Sequence, residues 1–193
     1  ILDVLPTSST YDAGGNVVAS EVLAEFDKTF RTPDPHFHSL VSVVTIDWLA
    51  ETPTTNQGTT VMTNSAHEIF MSRESLYLFQ TKWGETDMTS IMQFDVDIDE
   101  QSATPIASGL VNGRILDQFS ADEKDGMLRV ATTTGFGDSA SSGVYVLDDI
   151  EDDLTVIGYV DELAPGERIF SARFLDSMAY IVTFRQVDPP VSY

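Results

Sequence analysis

Short runs of apolar and β-branched residues recur along this chain, many alternating with polar residues at every second position, and they predict strands rather than helices. Leu76-Tyr77-Leu78-Phe79, Leu128-Arg129-Val130-Ala131 and Ala179-Tyr180-Ile181-Val182 form one set, spaced 52 and 51 residues apart (76 to 128 to 179). Each follows a polar turn: Ser72–Ser75, Asp122–Gly126 and Asp176-Ser177. A second set lies just upstream, at Ile69–Ser72, Ile115–Ser120 and Ile169–Phe174, and a third downstream, at Val43–Asp47, Ile91–Asp95 and Val144–Asp148. Thr59–Met62, Pro105–Leu110 and Thr155–Val160 form the fourth. Helical periodicity is confined to a weak amphipathic stretch at Ser20–Phe30.

Four strands returning about every 50 residues point to an all-β fold of β-propeller blades, each a four-stranded antiparallel repeat. A β-sandwich also spaces its strands regularly, but has no reason to repeat their chemistry in register. Leu76–Phe79 and Ala179–Val182 are apolar on both faces, as a blade stacked between two neighbours requires. The expected organisation is a loop-rich segment over 1–38, which could begin a blade, and a propeller segment over 39–193. The latter holds a partial blade, two full blades at 69–110 and 115–160, and a truncated blade from 169. Propellers close with about four to eight blades, so the sequence is expected to be part of a larger ring, completed by the remainder of the propeller or by another chain. A start at Ile1 is expected to mean a processed product or a piece of something longer.

Charge changes the picture of the surface. With 31 Asp and Glu against 10 Lys and Arg, the formal net charge is -21. Such a surface repels phosphate backbones and anionic membranes, so neither nucleic acid nor membrane insertion by this segment is expected. It reads as a solvated, halophilic-like acidic shell, or more sharply as a divalent-cation binder. Zero cysteines exclude disulfides, thiol catalysis and zinc–thiolate sites.

Several strings taken together, among them Asn112-Gly113-Arg114-Ile115-Leu116-Asp117-Gln118-Phe119-Ser120, Leu128–Gly135, Leu163–Ile169 and Val182–Pro189, resemble the secreted prokaryotic β-propeller-domain proteins distantly related to WD40 repeats. The resemblance runs from about Leu40 to Pro189. It implies an exported or cell-surface protein carrying a complete propeller, and implies no reaction.

Candidate chemistry is sparse. Asp95, Asp97 and Asp99 alternate as calcium ligands do, although no glycine supplies the sharp turn of a calcium loop. They are the candidate metal residues, with calcium the possible cofactor; otherwise none is expected, and no catalytic residue is assigned. The run Asp148–Asp153 occupies the equivalent place one blade later. His36 and His38 would point to one side of a strand and, with His67, could ligate a metal. Gly137-Asp138-Ser139 superficially matches a nucleophile motif, but all three histidines precede it and no helix follows. Arg129, Arg168, Arg173 and Arg185 are expected to pair with Asp117 or Asp188 and with backbone carbonyls, or to floor an anion pocket. Trp48 and Trp83 read as packing caps. The leading expectation is a non-catalytic interaction or scaffold module binding a protein or envelope component. The alternatives are a calcium-dependent hydrolase or lyase with carboxylates at the propeller mouth, and a structural component of a surface assembly.

Overall fold

Antiparallel meanders dominate the computed structural model, which describes residues 7–23, 29–31, 39–47, 49, 54–55, 58–63, 68–82 and 87–185. The first complete blade is β8 (Glu68–Met71), β9 (Ser75–Lys82), β10 (Met88–Asp97) and β11 (Ser102–Asn112), paired in that order. The second begins with β12 (Arg114–Ile115) and β13 (Ala121–Lys124), which both pair with β14 (Met127–Thr134), and continues through β15 (Ser141–Ile150) to β16 (Asp153–Leu163). A third is represented by β17 (Arg168–Leu175) and β18 (Met178–Phe184). Ahead of these, β4 (Ser39–Val43) pairs antiparallel with β7 (Thr59–Thr63), β3 (Thr29–Arg31) adds parallel to β7, and β5 (Ile46–Asp47) pairs with β6 (Thr54–Thr55). The four-stranded repeat expected from the sequence is thus the observed unit.

The core lies between blades. Because side chains alternate across a strand, β9 sends Tyr77 and Phe79 forward, onto Leu128, Val130, Tyr145 and Leu147 of the second blade. It sends Leu78 backward, with Met92 and Phe94 of β10, onto Val61 of β7. The second blade repeats the device: Ala131 and Val144 face forward, onto Ile169, Ala172 and Phe174. Each full blade is therefore buried on both faces. At roughly 25 cal/mol per Å² of apolar area removed from water, this stacking is the main stabilising term available to such thin sheets.

The outer strands meet most closely at Gly109, where an added Cβ would sit 2.3 Å from the Leu154 carbonyl oxygen. Only hydrogen there allows the single parallel bridge between β11 and β16, at Ser108 and Asp153. Turn chemistry follows the sequence: Asp125 and Gly126 both take positive φ, as an Asp-Gly hairpin turn requires.

Three details depart from the sequence reading. Ile115–Ser120 is not one strand: Asp117 accepts backbone N–H from Phe119 and Ser120 and the Ser120 hydroxyl, capping a short 3-10 turn over Gln118–Ser120. The local Asx geometry competes successfully with strand pairing. Ser20–Phe30 is not helix in its described residues, which fall in β2 (Val17–Val22) and β3 apart from a bend at Leu23. Among the described residues of 1–38 a hairpin stands at 7–22, where β1 (Thr7–Tyr11) pairs with β2 around a turn in which Asp12 accepts from the Gly14 and Asn16 backbone N–H groups. β-branched residues paired across a capped turn prevail there over weak helical periodicity. No helix among the described residues is long and apolar enough to cross a membrane.

Candidate acidic cleft between two blades

At the end of the complete blades where β9 runs toward β10 and β14 runs into β15, the chain closes around a cleft of about 560 Å³. Gly113 makes this end possible. Its φ of +89° and the Thr133 carbonyl, 2.9 Å from where a Cβ would sit, exclude any larger residue at the crossing from β11 to β12. Its N–H donates to the Asp87 carbonyl at 2.8 Å, and its own carbonyl accepts from the Thr89 hydroxyl at 2.7 Å.

Arg114, set by that crossing, pairs with the mostly buried Asp87 carboxylate, donates to the Gly135 carbonyl at 2.8 Å and lies 3.9 Å from the Phe136 ring centre. One guanidinium thus fastens the first blade to the rim of the second. Asp161 and Glu162, at the end of β16, add two exposed carboxylates to the lining, with no ion-pair partner among the described residues. Burial, and then the Asp161 charge, push the Tyr145 phenol above its ordinary range, so it stays a neutral hydroxyl at physiological pH. The Ser141 hydroxyl also has no partner among the described residues. The cleft therefore offers two exposed carboxylates beside the Tyr145 phenol, chemistry suited to holding cationic or hydrogen-bond-donating groups.

Asp95, Asp97 and Asp99 line a different, shallower cleft at the opposite end of the first blade, together with Arg73 and Glu74. Asp97 Oδ1 already accepts from the Asp99 and Glu100 backbone N–H groups, at 2.9 and 2.8 Å. Among the described residues no group of three or more His, Asp or Glu is arranged to hold a metal. The Asp148–Asp153 run forms the β15–β16 hairpin, with Glu151 and Asp152 both at positive φ. Ser139 works inside its own turn, its hydroxyl donating to the Phe136 carbonyl at 2.8 Å. His36, His38, His67, Trp48, Trp83 and Asp188 lie outside the described residues.

Arg129 and Arg173 find backbone carbonyls as expected, but the carboxylate partners among the described residues are not Asp117. Asp117 is a turn cap, and Arg129 pairs instead with Asp122, also donating to the Asp176 carbonyl at 2.6 Å. Arg173 reaches the Ala172 carbonyl and lies over the Phe119 ring, and Arg185 pairs with Asp138. Arg114 and Asp87 were missed by the sequence reading. Their signal was present in Gly113-Arg114 at a blade crossing, but Asp87 stands 27 residues away with no pattern to mark it.

Comparison with known proteins agrees with this architecture. The profile of a family described as beta propeller domain matches residues 3–190. An uncharacterised protein of Methanocaldococcus jannaschii is 41% identical over 110 residues, covering 55% of this chain and 16% of that protein. An uncharacterised protein of Archaeoglobus fulgidus is 36% identical over 105 residues, covering 54% of this chain and 15% of that protein. The matched stretch is thus only about a sixth of either relative's length. No solved structure matches the chain.

Proposed function

Since this chain belongs to the beta propeller domain family, we propose that it is a non-catalytic interaction module of an exported or cell-surface protein, which holds a basic protein or envelope component in the cleft between its two complete blades. The carrying observation is the lining: Asp161 and Glu162 stand exposed at the end of β16, beside Tyr145 of β15, a strand packed on both faces. Recognition surfaces commonly sit on connections held by such a rigid scaffold. A net charge of -21 would draw a cationic partner toward this surface.

A short oligo-arginine peptide is the direct probe, titrated by calorimetry against the chain and against an Asp161→Asn, Glu162→Gln double variant. Cleft binding predicts at least a tenfold loss of affinity in the variant. Equal affinity for both proteins would mean that overall charge alone attracts the peptide, and the cleft would lose its role. Fractionation of the native source tests the location: recovery in the cytosolic fraction would overturn the exported reading.

A further inference from the structure

Phe136 lines two clefts of opposite character. One is the acidic cleft with Asp161 and Glu162. The other is smaller, about 170 Å³, and is lined also by Arg114, Gly166, Arg168 and Phe184. No carboxylate is among the described residues that line the smaller cleft. The ion pair of Arg114 with Asp87 spans the divide, since Asp87 lines the acidic cleft and Arg114 the smaller one. Each end of that pair therefore reinforces the sign of the cleft it borders.

Arg168, the first residue of β17, is exposed and makes no hydrogen bond or ion pair with any described residue. The neighbouring carboxylates are committed elsewhere: Glu167 accepts from the Thr183 hydroxyl, and Asp138 pairs with Arg185. In a chain of net charge -21, an uncommitted guanidinium in a cleft without carboxylates is the place where an anion gains most. The backbone holds the two clefts close together. The turn between β16 and β17 is closed by the Glu167 N–H on the Ala164 carbonyl at 3.0 Å. It is tied to the loop after Phe136 by the Gly166 N–H on the Ala140 carbonyl at 2.7 Å. Asp161 and Glu162 thus enter the same short turn that Arg168 leaves.

We propose that Arg168 receives the C-terminal carboxylate of a partner polypeptide whose last residue is Lys or Arg, while the cationic side chain of that residue enters the acidic cleft along Phe136. This rests on the reading of the acidic cleft as the seat of a basic partner, and names the group that the partner presents. Filling both clefts takes a carboxylate and a cation one side chain apart, with an apolar stem between them. A C-terminal Lys or Arg carries all three, and its stem packs well on an aromatic ring. Phe136 suits that contact, being 65% exposed although the Arg114 guanidinium already lies over its ring. An internal basic segment would fill the acidic cleft and leave Arg168 without a partner. An Asp or Glu beside a basic residue presents the same chemistry on a longer arm, and the test separates the two sources.

Calorimetric titration of short acetylated peptides tests it: one ending in Arg-Arg with a free carboxylate, the same peptide as its C-terminal amide, and an amidated peptide ending in Arg-Glu. The free acid should bind the chain about fivefold more tightly than its amide. Overall charge predicts the reverse, because the amide is the more cationic of the two and the chain is strongly acidic. The preference should vanish in Arg168→Gln and persist, at lower affinity, in the Asp161→Asn, Glu162→Gln double variant. Equal or weaker binding of the free acid would overturn the proposal, and a loss of amide affinity in the double variant would show that the acidic cleft still keeps its role. A preference that survives Arg168→Gln would overturn it as well. Tightest binding by the Arg-Glu amide would overturn the C-terminal assignment, because the carboxylate would then come from a side chain. Failure of every peptide to bind would overturn this proposal and the cleft reading together.

Discussion

The phenol of Tyr77, fully buried, donates to Glu123 Oε2 at 2.7 Å across the junction of the two complete blades, 46 residues further along the chain. The Ser72 hydroxyl donates to the same oxygen at 3.1 Å. One carboxylate at the start of the second blade is thus held by two hydroxyls of the first. The contact fixes the register in which the two apolar faces meet.

Tyr77→Phe keeps the ring but leaves Glu123 with one donor, and should cost about 1–2 kcal/mol in urea unfolding at pH 7. Burial, and then the bond to Glu123, push the Tyr77 phenol well above its ordinary range. An unfolded tyrosine loses its proton at about pH 10 while the folded one keeps it, so the unfolded state binds fewer protons above that pH. Stability is then complete below about pH 10 and falls as pH rises, by up to about 1.4 kcal/mol per pH unit from this group. Unfolding curves between about pH 9 and 11.5 should show a shallower decline for Tyr77→Phe; parallel curves would refute the assignment.

Gly109 lies where the outer strands of adjacent blades touch, and the group an added methyl would strike is the Leu154 backbone, which cannot swing aside. Gly109→Ala should therefore destabilise the chain by about 1–3 kcal/mol, despite the usual benefit of removing a strand glycine. Gly158, on β16, has nothing within 4 Å of the place its added methyl would occupy and serves as the control. Chemical denaturation of the two variants checks this, and an unchanged midpoint for Gly109→Ala would count against the close approach.

Glu151 and Asp152 carry the β15–β16 hairpin at positive φ without a glycine. Replacing them by Asn and Gly supplies the residues that such a two-residue turn favours, and should stabilise the chain by about 0.5–1 kcal/mol. Differential scanning calorimetry should show a higher Tm; a lower one would mean that the two carboxylates contribute something the turn geometry does not reveal.

Calcium should leave the Tm unchanged within error at millimolar concentration. Asp97 Oδ1 is committed to two backbone N–H groups, and Arg73 lines the same cleft as Asp95 and Asp99. A calcium-dependent rise in Tm that disappears in Asp97→Asn would instead place a cation on these carboxylates.

Added sodium chloride should raise the Tm, because 31 acidic residues face 10 basic ones and screening weakens their mutual repulsion. A melting series from low to molar salt reads this directly. A flat series would show that surface repulsion contributes little to the folded state's free energy.

Local information made the blades legible before any contact was known. Leu76–Phe79 announces a strand with two buried faces, and Asp125-Gly126 announces the hairpin between β13 and β14, because strand alternation and turn φ values depend on neighbours within a few residues. The break in Ile115–Ser120 was harder to see. There Asp117 closes a turn through its own side chain, and a β-rich composition conceals that competition.

The sequence by itself determined the repeat, the strand type, the direction in which each side chain could point, and the acidity of the surface. Tertiary structure alone decided which oxygen each donor found. Tyr77 meets Glu123, Arg114 meets Asp87, and Arg129 meets the Asp176 carbonyl only once blades have stacked. The reason is physical: periodicity specifies faces, since it reflects backbone geometry repeated every two residues. A hydrogen bond or an ion pair depends on a few ångströms between strands that are distant in the chain, and only the packing of whole blades sets that distance.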